Sequence, residues 1–204
     1  MTSRGRWAWL SRLSWSPTAG RRVAEPHIGA CVRPVEERDL EHISRIYAHY
    51  VAHTYLTFDL DAPSEAEWRA RWHAARDDGR PWLVSTGEET VWGYATASAF
   101  RPKAAYRSTV ETTVYLDPGA TGRRLGRQLY EALLVEATAR SFHLATAGIA
   151  LPNDASVALH EGLGFTPVGT FCEVGHKLGQ WRDVQWWQRA LTPGQGAGCP
   201  VRAG

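Results

Sequence analysis

The part of this sequence best suited to chemistry is a basic, glycine-rich loop at residues 117–126, DPGATGRRLG. An apolar, β-branched run at 112–116 precedes it, and leucines at helical spacing follow it from position 125. Where a helix begins after such a loop, free backbone N–H groups and the positive end of the helix dipole can bind a phosphate. An ordinary strand-to-helix loop with solvated arginines fits the same stretch equally well.

A glutamate within a run of strand formers is the second candidate for chemistry. Glu111 lies between Val110 and Thr112 in the stretch 109–116. Burying a carboxylate is costly, and burial raises its pKa towards values that suit a general base. The alternative is an edge-strand glutamate that points to water.

These two stretches need a scaffold, and the sequence predicts one built from alternating strands and helices. The predicted strands are 31–35, 82–86, 91–100, 109–116, 144–150, 166–175 and 183–191. The predicted helices begin after a cap at Asp39, after a capping box at Ser64, at Arg123 (ending at Arg140) and at Asn153, the last ending at Gly162 or Gly164. This order implies a mixed sheet with helices on both faces, and Pro34 marks the first strand as an edge strand or its end.

Composition indicates one globular domain without a nucleic-acid or membrane role. The chain has 204 residues, of which 44% are hydrophobic and 22% charged, and this length suffices for one buried core. Residues 1–30 carry five arginines and one glutamate, whereas the rest of the chain has a net charge of −2, which argues against a basic nucleic-acid-binding surface. There is no run of 18 apolar residues that would span a membrane.

The cysteines, the histidines and the chain ends complete the domain prediction. Cys31, Cys172 and Cys199 are widely spaced without a CxxC pair, which is typical of reduced thiols in a cytoplasmic protein. His49 and His53 lack the glutamate of an HExxH motif, so no metal site is expected.

We expect 1–30 to be a disordered basic extension or the product of a start codon placed too early, 31–191 to be the folded domain, and 192–204 to be a disordered tail.

Three blocks of the sequence together resemble the GNAT N-acetyltransferases, and within them the phosphinothricin acetyltransferase branch. They are PWLV at 81–84 with FRPKAAY at 100–106 and TVETTVY at 109–115, then the glycine-rich loop, and finally IALPNDASVALHEGLGF at 149–165 with GHKLGQWRD at 175–183. The resemblance spans about residues 32–191. It implies the GNAT fold, an α/β architecture in which a mixed, mostly antiparallel central sheet has a parallel splay and helices on both faces.

The resemblance implies acetyl-CoA as cosubstrate and no metal. The pantetheine arm would lie along the backbone of Val114, Tyr115 and Leu116 as an added strand does. The loop would bind the pyrophosphate through N–H groups at the helix start. The implied cofactor residues in and after this loop are Thr121, Gly122, Arg123, Arg124, Leu125, Gly126, Asn153 and Ser156.

The loop departs from the family pattern, which is Gln or Arg, two residues, Gly, one residue, then Gly or Ala. Those positions hold Thr121, Arg124 and Gly126. A side chain at the middle position can obstruct close approach and penalises positive φ. Arg124 can point outward or reach a phosphate oxygen, which preserves binding, or it can fill the cradle and weaken binding. The intact neighbouring blocks favour preserved binding.

The resemblance also implies which residues carry out the reaction. An amine must lose a proton to attack a thioester, and Glu111 matches the family glutamate expected to accept it. His160 stands where many acetyltransferases of this fold carry a tyrosine as general acid, and the phosphinothricin branch has histidine there. A surface or packing histidine is the alternative reading.

Acceptor recognition is expected from cations that precede Glu111. Arg101, Lys103 and Tyr106 could hold a carboxylate and a phosphinate or sulfoximine oxygen, although a solvated hairpin loop fits them too. Phe58 and Thr113 match positions that line the acceptor pocket in the family.

The resemblance further implies a homodimer. In the relatives, the loop around Lys177 and Trp181 helps to close the neighbouring site. His176 stands where an aromatic ring is usual, so the shape of this loop is open.

The expected function is transfer of acetyl from acetyl-CoA to the α-amine of phosphinothricin, or of a similar amino acid such as methionine sulfoximine or sulfone, with herbicide resistance as a consequence. One alternative is the same fold acting on another small amine. Another is a non-catalytic CoA-binding module, which Arg124 permits but which the retained Glu111, Tyr106 and His160 argue against. No nucleic-acid or membrane partner is expected.

Overall fold

The computed structural model describes residues 31–87 and 90–192. The strands are β1 Cys31–Pro34, β2 Trp82–Thr86, β3 Val91–Ala99, β4 Thr109–Leu116, β5 Leu144–Ala150, β6 Thr166–Lys177 and β7 Gln180–Ala190; the helices are α1 Leu40–His53, α2 Glu65–Asp77, α3 Leu125–Ala139 and α4 Asp154–Gly162. The predicted extension at 1–30, all but the first residue of the predicted tail, and residues 88–89 between β2 and β3 lie outside the described residues.

The described strands form one seven-stranded sheet in the order β1-β2-β3-β4-β5-β7-β6. Neighbouring strands are antiparallel except for β4 and β5, which are parallel. β1 lies at the edge, where Pro34 costs no ladder hydrogen bond on its free side. The predicted fold class is therefore confirmed.

The parallel pair separates soon after it begins. Only Thr109, Val110 and Glu111 of β4 pair with β5, and the last pair is Glu111 with Thr146. Both strands then continue, to Leu116 and to Ala150. Beyond Glu111 their facing edges do not pair with each other, so backbone donors and acceptors there can receive an extended ligand.

Helices cover both faces of the sheet. On one face, α1 and α2 bury residues such as Ile43 and Trp68 against β2 and β3, and on the other α3 buries Leu129 and Leu133. Side chains alternate along β4, so Val110 packs against the α3 cluster and Tyr115 against the α1 cluster. No helix in the described part of the chain is long and apolar enough to cross a membrane.

Three local predictions need correction. Asp39 does not cap α1, because its carboxylate accepts hydrogen bonds from the Arg33 guanidinium at 2.7 and 2.8 Å and from the backbone N–H of Glu36. α3 begins at Leu125 rather than at Arg123, because Arg124 has a left-handed backbone, with φ 61°. By contrast, the capping box predicted at Ser64 is present at the start of α2, so that prediction is confirmed.

The third correction concerns the hairpin of β6 and β7. The strands run to Lys177 and from Gln180, beyond the predicted ends at 175 and 183. Leu178 and Gly179 form the turn with φ values of 51° and 74°, as a two-residue hairpin turn requires. The loop that the resemblance implied around Lys177 is thus only two residues long, and it includes a leucine at a positive φ, which is unusual.

Candidate active site

The gap between β4 and β5 is a cavity of about 210 Å³, which we call the splay cavity. It reaches from the sheet to α4 and to the start of α3. The predicted cofactor residues that line it are Val114, Tyr115, Leu116, Thr121, Gly126, Asn153 and Ser156, and its lining also includes Tyr50, Thr112, Thr113 and His160. Gly122, Arg123, Arg124 and Leu125 are absent from this lining.

The loop at the start of α3 keeps a glycine-like backbone without the glycine. Arg124 has φ 61° and ψ 4°, and Gly122 has φ 75°. The left-handed conformation costs a non-glycine residue about 1–2 kcal/mol. The Arg124 side chain is exposed, whereas the Leu125 side chain is buried in the core. The Arg124 side chain is therefore not packed into the protein interior.

Two polar side chains fix the ends of the splay cavity. The Tyr50 hydroxyl donates to the carbonyl oxygen of Leu116 at 2.7 Å and so ties the end of β4 to α1. The Asn153 side-chain oxygen accepts from the backbone N–H of Ser156 at 3.2 Å, which makes Asn153 the cap of α4. Tyr50 carries no motif, and the sequence analysis missed it.

A second cavity, of about 480 Å³, lies between α2 and the sheet, and we call it the Glu111 cavity. Besides Glu111, its lining includes the rings of Tyr47, Trp68, Trp82, Tyr94 and Tyr115 and the arginines Arg71 and Arg80. Thr113 and Tyr115 line both this cavity and the splay cavity. The two cavities therefore adjoin immediately beyond Glu111 along β4.

Glu111 is half-buried, at the point where the parallel strands separate. Burial raises the pKa of its carboxyl group, and the positive charge of Arg101 opposes that rise. The carboxylate forms no hydrogen bond with the residues that the structure describes. It is therefore free to accept a proton from a group entering the cavity.

His160 is 4% exposed, and through Tyr130 it is linked to Thr112, whose side chain lies on the opposite face of β4 from Glu111. Its Nδ1 is 2.7 Å from the backbone oxygen of Ser156, which can only accept, so Nδ1 donates. Its Nε2 is then left to accept a hydrogen bond from the Tyr130 hydroxyl at 3.0 Å. Burial lowers the pKa of His160, and its hydrogen bond to Ser156 opposes that effect.

Tyr130, on α3, links His160 to the sheet. Its hydroxyl is 2.7 Å from the Thr112 hydroxyl, and Thr112 is also 3.0 Å from the backbone oxygen of Thr146. Tyr130 is fully buried, and burial raises its pKa. In sequence Tyr130 belongs to the apolar stripe of α3, so nothing distinguished it from a packing residue.

The residues predicted to bind the acceptor are not gathered in one cavity. Thr113 lines the Glu111 cavity, whereas Arg101 and Tyr106 line a separate hollow beside Phe100 and Trp186. The Arg101 guanidinium lies 4.4 Å from the ring centre of Phe100.

Two other predicted contacts lie on exposed segments. Lys103 is exposed and lines none of these cavities. Phe58 is 37% exposed, on the segment that follows α1. Within the described residues, no group of three or more histidine, cysteine, aspartate or glutamate side chains could hold a metal ion.

Comparison with known proteins decides the family. Residues 32–186 match the model of the acetyltransferase (GNAT) domain. The chain belongs to the GNAT acetyltransferase family. Membership makes it an enzyme of the acyltransferase class, and the predicted resemblance is confirmed.

Relatives of this GNAT enzyme include named amino-acid acetyltransferases. Phosphinothricin N-acetyltransferase of Streptomyces coelicolor is 45% identical over 78% of this chain and 95% of its own. The L-methionine sulfoximine/L-methionine sulfone acetyltransferase of Salmonella typhimurium is 37% identical over 78% of this chain and 94% of its own. A solved GNAT phosphinothricin acetyltransferase from Sinorhizobium meliloti, in complex with acetyl-CoA, has a TM-score of 0.77 and 37% identity, and covers 80% of this chain and 89% of its own.

Proposed function

We propose that this enzyme transfers acetyl from acetyl-CoA to the α-amine of phosphinothricin or of a methionine sulfoximine-type amino acid. Relatives with these names are 45% and 37% identical to it. The observation that carries the proposal is the position of Glu111. It is the last residue of β4 that pairs with β5 before the splay, and the Thr113 side chain two residues later borders both cavities.

Acetyl-CoA fits the splay cavity by the chemistry of its lining. The unpaired edge of β4 beyond Glu111 offers backbone groups to an amide-containing arm. The first N–H groups of α3 and the outward Arg124 suit a pyrophosphate. When bound, acetyl-CoA would supply an acetyl group activated as a thioester.

Glu111 acts in this proposal as the general base. The amine nitrogen forms a bond to the acetyl carbon, the carbon–sulfur bond breaks, and the proton of the amine passes to Glu111 directly or through one water molecule. A carboxyl group whose pKa is raised is a better proton acceptor than an ordinary glutamate. Thr113, between the two cavities, would orient the amine.

His160 is proposed as a positioning residue beside the departing thiolate, because its single ring proton, on Nδ1, is donated to the backbone oxygen of Ser156; the thiolate takes its proton from water. Its ring borders the splay cavity and bonds to Tyr130, which reaches Thr112 on the face of β4 opposite Glu111. Ser156 and Tyr130 hold its two nitrogens, so its orientation is fixed before substrate binds. Glu111 and His160 would thus approach the thioester from opposite faces of the sheet.

Arg101 is the best supported of the proposed acceptor contacts. It is close enough to Glu111 to influence the pKa of that carboxyl group, so a carboxylate held by Arg101 would place its α-amine near the base. Tyr106 lines the same hollow as Arg101. Lys103 and Phe58 remain in the proposal as further contacts to the acceptor.

The decisive test is turnover with a panel of acceptors. Purified protein is incubated with acetyl-CoA and phosphinothricin, methionine sulfoximine, methionine sulfone, methionine or a simple amine, and released thiol is measured against a blank without acceptor. The blank is needed because Cys31 and Cys172 are exposed thiols. We expect thiol release and an N-acetylated product with at least one of the first three compounds. Turnover with the simple amine alone would favour another small-amine acceptor.

Calorimetric titration of acetyl-CoA distinguishes the non-catalytic alternative. We expect the wild type to bind, and Arg124→Gly to bind within a few-fold of it, because Arg124 already has the glycine backbone conformation. Binding without turnover on any acceptor would identify a CoA-binding module. Binding that appears only after Arg124→Gly would show that the arginine obstructs the cradle.

A homodimer is also proposed, through the hairpin of β6 and β7. Val168, Phe171, Val174 and Trp181 on this hairpin are each more than half exposed, and an apolar surface of this kind typically marks an interface. Light scattering after gel filtration should give twice the chain mass for the wild type and for Val135→Glu, an exposed site on α3. It should give the monomer mass for Phe171→Glu.

Herbicide resistance and a cytoplasmic location follow as proposals from this activity. Expression of the chain in a phosphinothricin-sensitive bacterium should permit growth on the compound. Glu111→Gln expressed to the same level should not, which separates acetylation from sequestration.

A further inference from the structure

A buried lysine ends the long strand β6. Lys177 is 4% exposed, and its ammonium donates to the backbone oxygen of Thr57 at 2.8 Å. Thr57 is itself buried, and it lies 120 residues earlier in the chain. An ammonium group is removed from water at considerable cost, so a contact of this kind is retained where it holds something in place.

The segment held is the one that carries Phe58. From the other side, the Tyr47 hydroxyl bonds to the Thr57 hydroxyl and donates to the Asp59 carboxylate at 2.8 Å. The charge of Asp59 also acts favourably on the Lys177 ammonium. Residues 57–59 are therefore fixed between α1 and the end of β6.

A glycine two residues before this lysine accommodates the Phe58 ring. A Cβ atom added to Gly175 would lie 2.1 Å from Cε1 of Phe58 and 2.5 Å from Cζ. No such contact is tolerated, so the ring rests directly on the β6 backbone. Gly175 and Lys177 thus contact consecutive residues of the same segment.

We propose that Lys177 is a positioning residue that, with Gly175, holds Phe58 of its own subunit at the acceptor site. The inference rests on the proposed function for the role of Phe58. It differs from the expectation that the loop around Lys177 serves the neighbouring subunit, because the bond to Thr57 is made within one chain.

Steady-state kinetics test the positioning role. Lys177→Met keeps the length of the side chain and removes the ammonium. We expect it to raise KM for the acceptor about tenfold, as loss of a charge-assisted hydrogen bond to a binding segment does, while KM for acetyl-CoA stays within twofold. Gly175→Ala should raise the acceptor KM similarly. Val135→Ala, an exposed control on α3 away from this hairpin, should change neither KM.

A double-mutant cycle identifies the residue through which Lys177 acts. If it acts through Phe58, Lys177→Met should have less than a twofold effect on kcat/KM in a Phe58→Ala background. Equal effects in both backgrounds would overturn the positioning role. In mixed dimers with Glu111→Gln subunits, Lys177→Met subunits should keep their raised KM; recovery of the wild-type KM would show that the lysine acts across the interface.

Hydrogen exchange tests the same contact without activity. Peptides covering 55–60 should exchange faster in Lys177→Met than in the wild type, whereas peptides from α3 should be unchanged. Unchanged exchange at 55–60 would refute the contact's role. Faster exchange at 55–60 in a protein that acetylates none of the proposed acceptors would support the contact between Lys177 and Thr57 and would reject the proposed substrate class.

Discussion

The two faces of β4 at the splay differ in how their titratable groups are held. On one face Glu111 is half-buried in a cavity of about 480 Å³, and its carboxylate bonds to none of the described residues. On the other face His160 is 4% exposed, and both ring nitrogens are bonded within the protein. Glu111 is thus free to gain a proton, whereas His160 has one fixed orientation.

This difference arises from a single step along the strand. Neighbouring residues of a strand point to opposite faces, so Glu111 faces the α1 and α2 side while Thr112 reaches Tyr130 on the α3 side. We call the face that carries Glu111 the open face and the face that carries His160 the closed face. Substitutions on the open face should therefore alter proton transfer with little effect on stability. Substitutions on the closed face should alter both, because its hydrogen bonds are buried.

The largest expected effect comes from the open face. Glu111→Gln should lower kcat by about 10²–10⁴-fold, since a positioned general base typically contributes that factor. The midpoint of thermal unfolding should change little, because no protein hydrogen bond is lost. Retention of most of the turnover in a normally folded variant would remove Glu111 as the base.

The closed face should respond differently. Tyr130→Phe keeps the ring that stacks on Phe165 but removes the hydroxyl between Thr112 and His160. We expect a loss of about 1–3 kcal/mol in the free energy of unfolding, from unsatisfied buried groups, and a fall in kcat of about tenfold. Urea unfolding and steady-state kinetics measure the two effects. A drop in stability with full kcat would restrict Tyr130 to packing.

The charge of Arg101 allows a test of whether Glu111 controls the pH dependence of turnover. Arg101 lowers the pKa of Glu111 against the opposing effect of burial. Removing the cation in Arg101→Met should therefore raise that pKa and move the acid limb of the kcat/KM profile to higher pH. Arg107→Met, an exposed arginine nearby in sequence, serves as the control. An unmoved acid limb would mean that Glu111 does not control it.

The smallest effect concerns the pH dependence of stability on the closed face. The pKa of His160 is lowered in the folded state, so below about pH 6.5, the ordinary value, the unfolded chain binds a proton that the folded chain does not. The wild type should therefore lose stability as pH falls through this range. His160→Gln should show a shallower loss in urea titrations at pH 7.5 and 5.5; parallel losses would contradict the assignment.

Much of the fold was predictable because its helices and strands follow from local sequence patterns. The β-branched run of β4, the capping box at Ser64 and the leucine stripe of α3 each depend on residues close in sequence. The boundaries that failed, at Asp39, Arg124 and Lys177, are places where a distant contact or an unusual backbone overrides local preference.

The sequence alone determined the order of the elements, the GNAT resemblance and the choice of Glu111 as the candidate base, because a charged residue in a strand and a glycine-rich loop are visible without coordinates. Only the tertiary structure determined that β4 and β5 part at Glu111, that Tyr130 bonds to His160, and that Lys177 holds Thr57. Each of these depends on groups brought together from distant parts of the chain, and hydrogen bonding between them leaves no local pattern in the residues that form it.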